Sequence, residues 1–160
     1  MARASTFLLK AVILLIALVV LIISAFSFPH VWTGAAREWP QFTHVLFPGL
    51  IGIYATIFPF LFALYQSFKL LRYIDQANAF SELSVQALRK IKYSAIAMSA
   101  LYATAMPLVF TLAQYDDAPG LVLMGAAIAF APLIVATFAA VLQKLVQNAV
   151  DMKSEHDLTV

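Results

Sequence analysis

Cysteine is absent from the 160 residues, and with it go thiol redox chemistry, disulfide exchange and any thiolate-ligated metal or cluster. Charge is nearly as scarce. Asp, Glu, Lys and Arg make up 11% of the chain, against about 25% in an ordinary soluble domain. The scarcity is uneven: Ala11–Ala36, Trp39–Phe68, Tyr93–Tyr115 and Ala118–Gln143 contain no ionised residue other than histidine. A transporter or pump normally keeps an ionisable group inside the membrane to couple to protons or ions, so these empty stretches argue against one. No Ser, His and acid fall within one leaflet in a catalytic arrangement, and the paired carboxylates of an intramembrane aspartyl protease are missing. No enzyme activity is expected.

What is present is hydrocarbon. Apolar residues make up 63% of the sequence and the mean hydropathy is +0.90, which identifies an integral membrane protein. A bilayer core about 30 Å thick needs about 20 apolar residues per helix. Four spans therefore account for almost the whole length, and the ten-residue alternation of an outer-membrane barrel is absent. The expected fold is an all-α, four-helix membrane bundle forming a single domain over residues 1–160, with spans near 9–29, 43–68, 93–115 and 119–143. A hairpin over about 69–92 and a tail over 144–160 complete it. A signal peptide is the alternative for the first stretch, with Ala25-Phe26-Ser27 imitating a cleavage site, but the run from Ala11 to Phe28 is long for one and Phe28-Pro29 fits cleavage poorly.

Orientation follows from the cations. Arg3, Lys10, Lys69, Arg72, Arg89, Lys90, Lys92, Lys144 and Lys153 fall at the N-terminus, in the central hairpin and in the tail, leaving Arg37 on the other side. By the positive-inside rule both termini and the hairpin are cytoplasmic, in a bacterial inner membrane. Aromatic residues agree, with Trp32, Trp39, Phe42 and Tyr115 at the outer boundary and Tyr65, Phe68, Tyr73 and Tyr93 at the inner one. The outer connections are a short link over Pro29–Gln41 and a tight turn over Asp116–Gly120.

Small residues recur every fourth position at Ala95, Ser99 and Ala103, at Gly125 and Ala129, and at Ala136 and Ala140, which predicts close helix contacts there. The first helix, with large aliphatics all round, is expected at the periphery. Pro59, Pro107 and Pro132 should bend their spans. The second helix should continue past the membrane to about Ala77, with Asn78-Ala79-Phe80 making the bend. Ser81 should cap a helix that runs on to Gln114, about 50 Å at 1.5 Å per residue. Leu83, Ala87, Leu88, Ile91 and Ala95 share one side of it, and Gln86, Arg89 and Lys90 another.

Phe80-Ser81 at the head of a cytoplasmic helix, Leu88-Arg89-Lys90-Ile91 entering a span, and Asp157-Leu158-Thr159-Val160 at the end together carry a resemblance. The chain resembles, over nearly its whole length, the bacterial four-helix membrane proteins known as domain of unknown function 2975. It departs from them at Asn78-Ala79, where Gly or another turn residue is expected, and at Asp157, where Glu is commoner. Members of that family are frequently encoded beside a small Cro/CI-type helix-turn-helix regulator, which implies membrane-linked control of transcription.

The candidate partner-binding residues are Phe80, Ser81, Arg89, Lys90, Lys92, Leu158, Thr159 and Val160. The basic band that Arg89, Lys90 and Lys92 form with Lys69 and Arg72 has two readings: contact with anionic headgroups, at about 1 kcal/mol per charge, or a dock for an acidic protein surface. The last residues either add as a strand to a partner or are held by their carboxylate, or they fray. His30 and His44 lack companion ligands and His156 lies on the opposite side, so no metal and no cofactor is expected. The function expected is a non-enzymatic interaction or regulatory scaffold contacting the lipid bilayer and a cytoplasmic regulator, without direct nucleic-acid contact and with self-association left open. The alternative is a small transporter or channel subunit.

Overall fold

Each of the four apolar stretches becomes one long helical segment, and two of the four are interrupted. The computed structural model describes residues 2–159, with the side chains of residues 2, 3, 157 and 159 outside that description. Its helices are α1 (Ala2–Glu38), α2 (Thr43–Ala55), α3 (Ile57–Asp75), α4 (Glu82–Thr104), α5 (Met106–Tyr115) and α6 (Gly120–Thr159), with a 3-10 turn at Pro40–Phe42. Among the described residues there is no strand. Ala4–Glu38, Pro40–Asp75, Glu82–Tyr115 and Gly120–His156 are each long and apolar enough to cross a membrane. Lipid cannot satisfy a peptide group, so a chain of this composition closes its hydrogen bonds within helices.

The interruptions have a covalent cause. Pro59 has no N–H, so the Ala55 carbonyl loses its donor one turn on, and the backbone pinches at Thr56, whose N–H reaches back to the Ile53 carbonyl at 3.2 Å. The Thr56 hydroxyl donates to the same carbonyl at 2.5 Å. Pro107 likewise leaves the Ala103 carbonyl without its helical donor, and Ala105 closes a tighter turn onto the Tyr102 carbonyl at 3.0 Å. The helix expected to run unbroken from Ser81 to Gln114 therefore ends at Thr104 and restarts at Met106. Pro132 lies within the continuous α6.

The two breaks lie side by side. A Cβ on Gly52 would stand 2.5 Å from the Thr104 hydroxyl and 3.1 Å from the Leu101 carbonyl, and one on Gly49 would stand 2.7 Å from the Leu108 side chain. Only hydrogen at both positions lets α2 meet α4 and α5 this closely.

α4 is the centre of the bundle, packed most extensively against α6 and then α3. Its buried face is Ser84, Val85, Ala87, Leu88, Ser94, Ala95 and Ser99, and the Ser99 hydroxyl donates across to the Ala129 carbonyl at 2.7 Å. Ala103, expected in the same row, is exposed. Steps of four residues drift about 40° per step around a 3.6-residue helix, and beyond Ser99 the contact passes to Ala105 and Leu108. α1 rests on α2 and α3, with Leu14, Leu15, Ile23 and Phe26 exposed, at the periphery as expected.

The expected link over Pro29–Gln41 is mostly helix. α1 runs through Pro29 to Glu38 because its last turns have their own packing: Trp32 stacks on Phe47 with ring centroids 4.5 Å apart, and Ala35 joins Leu46, Leu50 and Leu108 in the core. The Thr33 hydroxyl also caps the Pro29 carbonyl at 2.8 Å. At the other end α3 stops at Asp75, two residues short of the expected Ala77. Ala77 adopts a left-handed conformation, φ 60°, while Asn78 N–H bonds the Tyr73 carbonyl at 2.7 Å and Ala77 N–H bonds the Ile74 carbonyl at 3.2 Å. This is a Schellman closure with alanine in the position that glycine usually takes. Ser81 caps α4 as its sequence position predicts, its Oγ accepting from Ser84 N–H at 3.4 Å.

Valine at Gly52 is expected to cost about 1–3 kcal/mol through overpacking. Alanine at Gly34, where an added Cβ meets nothing within 4 Å, is expected to be neutral or to stabilise by up to about 1 kcal/mol. Unfolding of the purified protein by SDS titration separates the two; equal effects would mean that the α2–α4 approach is not a close one. In the same assay Ala77→Gly should stabilise by about 0.5–1 kcal/mol, because the left-handed penalty on alanine outweighs the added chain entropy.

Candidate functional site: the end of the bundle that carries both termini

The helix ends at 75 and 82 are tied to the two terminal helices by polar side chains. Lys10 Nζ on α1 meets Asp75 Oδ2 at 2.6 Å, with both side chains about one-fifth exposed, and the Thr6 hydroxyl donates to Asp75 Oδ1. The Lys10 ammonium also lies 5.6 Å from the centroid of the Phe68 ring. On the other side the Gln147 amide on α6 donates to Glu82 Oε1 at 3.1 Å and to Asp151 Oδ1 at 3.0 Å. The start of α1, the α3–α4 turn and the last third of α6 therefore share one end of the molecule. The opposite end holds the 3-10 turn and the α5–α6 turn, where Phe42 and Tyr115 meet edge to face at 5.5 Å.

The α3–α4 turn is closed internally. Ser81 Oγ donates to the Asn78 carbonyl at 2.6 Å and Ser84 Oγ donates to it at 3.1 Å. With the turn's polar groups satisfied in this way, Phe80 is left 62% exposed. Because Gln147 is level with Glu82, the rest of α6 runs about 18 Å beyond the start of α4 at 1.5 Å per residue and passes alongside the turn. Between this part of α6 and the turn lies an open cavity of about 370 Å³ lined by Phe80, Ser81, Val150, Lys153, Ser154 and Leu158.

The sequence-predicted residues thus separate into two groups. Phe80, Ser81 and Leu158 come together around the cavity, although 77 positions separate the first from the last of them in the chain. Arg89 and Lys90 are exposed on α4 and line no part of it; Lys92 is half-buried with its ammonium 4.8 Å from the Tyr93 ring centroid. Thr159 is the last helical residue, its side chain outside the description, and Val160 lies outside the described residues. The segment expected to pair as a strand or to fray is helical through Thr159, continuing α6 beyond its last half-buried residues, Ala149 and Val150.

His30 Nδ1 lies 3.0 Å from the Phe26 carbonyl within its own helix, and His44 is exposed. Among the described residues no three His, Cys, Asp or Glu side chains gather as a metal site. Sequence reasoning missed Asp75, Thr6, Gln147 and Val150. Asp75 had a signal: it is the only acidic residue between Glu38 and Glu82 and follows Lys69 and Arg72, a lone carboxylate on an otherwise basic end.

Comparison with known proteins agrees with a membrane protein. A family model described as "Protein of unknown function (DUF2975)" matches residues 30–160. The "Uncharacterized membrane protein YoaS" of Bacillus subtilis (strain 168) is 48% identical over 160 residues, covering all of both chains. No solved structure matches.

A double-mutant cycle on Lys10→Ala and Asp75→Ala should return a coupling of about 1 kcal/mol in low salt that shrinks as salt is added. SDS titration measures it. A coupling of zero would mean that α1 is not anchored through this pair.

Proposed function

We propose that this chain, which belongs to the DUF2975 family, is a non-catalytic multi-pass scaffold of the bacterial inner membrane that holds a soluble cytoplasmic partner at the end carrying both termini. The observation that carries the reading is the cavity where Phe80 and Ser81 of the turn meet Leu158 of α6. It joins two segments distant in sequence, offers exposed apolar anchors outside the apolar spans, and sets a hydrogen-bonded turn against the helical end of α6. Exposed aromatic and aliphatic side chains beside a polar rim are the usual makings of a protein-docking surface.

Orientation rests on charge. Lys10, Lys69, Arg72, Arg89, Lys90, Lys92, Lys144 and Lys153 belong to the terminal end and Arg37 to the other, and the positive-inside rule puts the terminal end in the cytoplasm. The partner we favour is a helix-turn-helix regulator, the kind that the family resemblance implies. Its DNA contact would be its own, and the scaffold would act by holding it at the membrane. Arg89 and Lys90, away from the cavity, are assigned to headgroup contact.

The paired breaks at Thr56 and Ala105 favour a second reading, a small transporter or channel subunit, because interrupted helices at membrane depth recur at substrate sites. The charge-free spans weigh against an ion-coupled version of it.

The chain has no cysteine, so single cysteines report orientation without background. Cysteine at Gln76 or Glu155 should react with a membrane-impermeant maleimide only after spheroplasts are opened, and cysteine at Asp117 should react in intact ones; the reverse pattern would sink the topology. With the tagged protein as bait, Phe80→Asp and Leu158→Asp should each lower capture of a co-expressed Cro/CI-type helix-turn-helix regulator about tenfold or more, in keeping with loss of an interface anchor. Arg89→Glu with Lys90→Glu should leave capture unchanged. Capture that ignores Phe80 and Leu158 would remove the basis of the docking assignment.

A further inference from the structure

The two helix breaks lie roughly midway along their spans. Thr56 is about equidistant from Phe42 and Lys69, and Ala105 from Lys92 and Tyr115; on α1 the matching position is Ser24, between Lys10 and Arg37. Irregular backbone at such depth is tolerated where protein covers it or where it borders a cavity. Here the α4–α5 break is covered, with Ala105 buried, and the α2–α3 break borders a cavity through Thr56. A cavity of about 300 Å³ opens between α1, the α2–α3 break and α4, with apolar walls including Phe60 and Met98 and four hydroxyl-bearing side chains: Ser24, Tyr54, Thr56 and Tyr102.

These hydroxyls are unevenly occupied. The Thr56 proton is committed to the Ile53 carbonyl at 2.5 Å, which leaves Tyr102 Oη only a long 3.5 Å contact with Thr56. Tyr54 Oη pairs with Ser27 at 3.0 Å. The cavity is therefore a mid-depth polar site that can donate and accept hydrogen bonds and carries no charge. Its lining contains no ionisable group except the two phenols. Across the α1 crossing, and sharing Ser24, Tyr54 and Ile57 with it, runs a groove of about 530 Å³ walled by apolar side chains such as Phe28, Ile51, Phe58 and Leu61.

We infer that the hydroxyl cavity and the adjoining groove form a binding site for an uncharged lipid alcohol, its hydroxyl among Ser24, Tyr54 and Tyr102 and its chain along the groove. Two considerations select this class. A phosphate-bearing head is held at the membrane surface by its charge, and no cation lines the cavity to draw it down, whereas an uncharged lipid alcohol reaches mid-depth at a far smaller cost than a charge and recovers it by hydrogen bonding there. A hydrocarbon chain alone would fill the groove and leave the hydroxyls facing apolar matter, a loss that an alcohol head avoids by donating and accepting at once. Diacylglycerols and isoprenoid alcohols share this chemistry and differ only in the chain. The site is independent of the docking surface at the bundle end.

The test is native mass spectrometry of the full-length protein released from micelles containing dioleoylglycerol, farnesol, the O-methyl ether of each, or dioleoylphosphatidylglycerol. One or both alcohols should bind about fivefold or more tighter than their own methyl ethers, the effect of one hydrogen bond, and the tighter of the two identifies the chain class. Tyr102→Phe and Ser24→Ala, which delete single oxygens, should abolish that preference while helicity by circular dichroism is unchanged. Equal binding of alcohols and ethers would overturn the inference. So would equal occupancy by the anionic phospholipid, or a preference that survives both substitutions.

Discussion

Pro59 and Pro107 each withhold a donor from a helix that has no water to replace it, and the middle of the bundle is arranged around those two losses. The chain answers at Thr56 by turning both an N–H and a hydroxyl onto the Ile53 carbonyl. At Ala105 it answers with a tighter backbone turn. Setting the breaks beside each other confines the irregular backbone to one place, and the glycines at 49 and 52 make that closeness sterically affordable. The hydroxyls at Ser24, Tyr54, Thr56 and Tyr102 then give a polar lining to the cavity beside the α2–α3 break.

The uninterrupted helices bear the rest of the load differently. α6 is straight enough in hydrogen bonding to run through Pro132 and on past the start of α4, because α4 supplies a face of Ala and Ser that it can approach closely. The Ser99 hydroxyl reaches a backbone oxygen of α6 directly. α1 has no such face. Its large side chains keep it outside, and two polar contacts, Lys10 to Asp75 toward one end and Ser27 to Tyr54 near the middle, set its register. A peripheral helix fixed at few points, leaning on the break, is what leaves a groove on one side of the crossing and a cavity on the other.

Much of this was legible in the sequence. Charge-free runs define four spans, Ser81 with Glu82 marks a helix start, and the aliphatic girth of α1 places it at the rim; each is a local or compositional property. What escaped was relational. Ala103 looked equivalent to Ala95 and Ser99 until helical drift and the break moved the seam. Pro29 suggested a boundary, but packing of Trp32 and Ala35 on α2 carried the helix nine residues further, to Glu38. Ala77 could not be identified as the left-handed residue because nothing in alanine favours that conformation; only the Schellman hydrogen bonds single it out. Phe80 and Leu158 were both named as candidates, yet their common cavity depends on how far α6 runs beyond the start of α4, a length that sequence periodicity does not fix.

The polar stretch at residues 76–92 opens with a turn that is closed by its own side chains. Gln76, Ala77 and Asn78 are exposed, yet the turn closes on its own groups rather than relying on outside ones. Ser81 and Ser84 close it by sharing the Asn78 oxygen, which frees Phe80 from any structural task within the turn and leaves it projecting. A large aromatic side chain that the turn's own hydrogen bonds do not use therefore stands 62% exposed beside a leucine of α6 that is 84% exposed, and this pairing is what the proposed docking surface rests on.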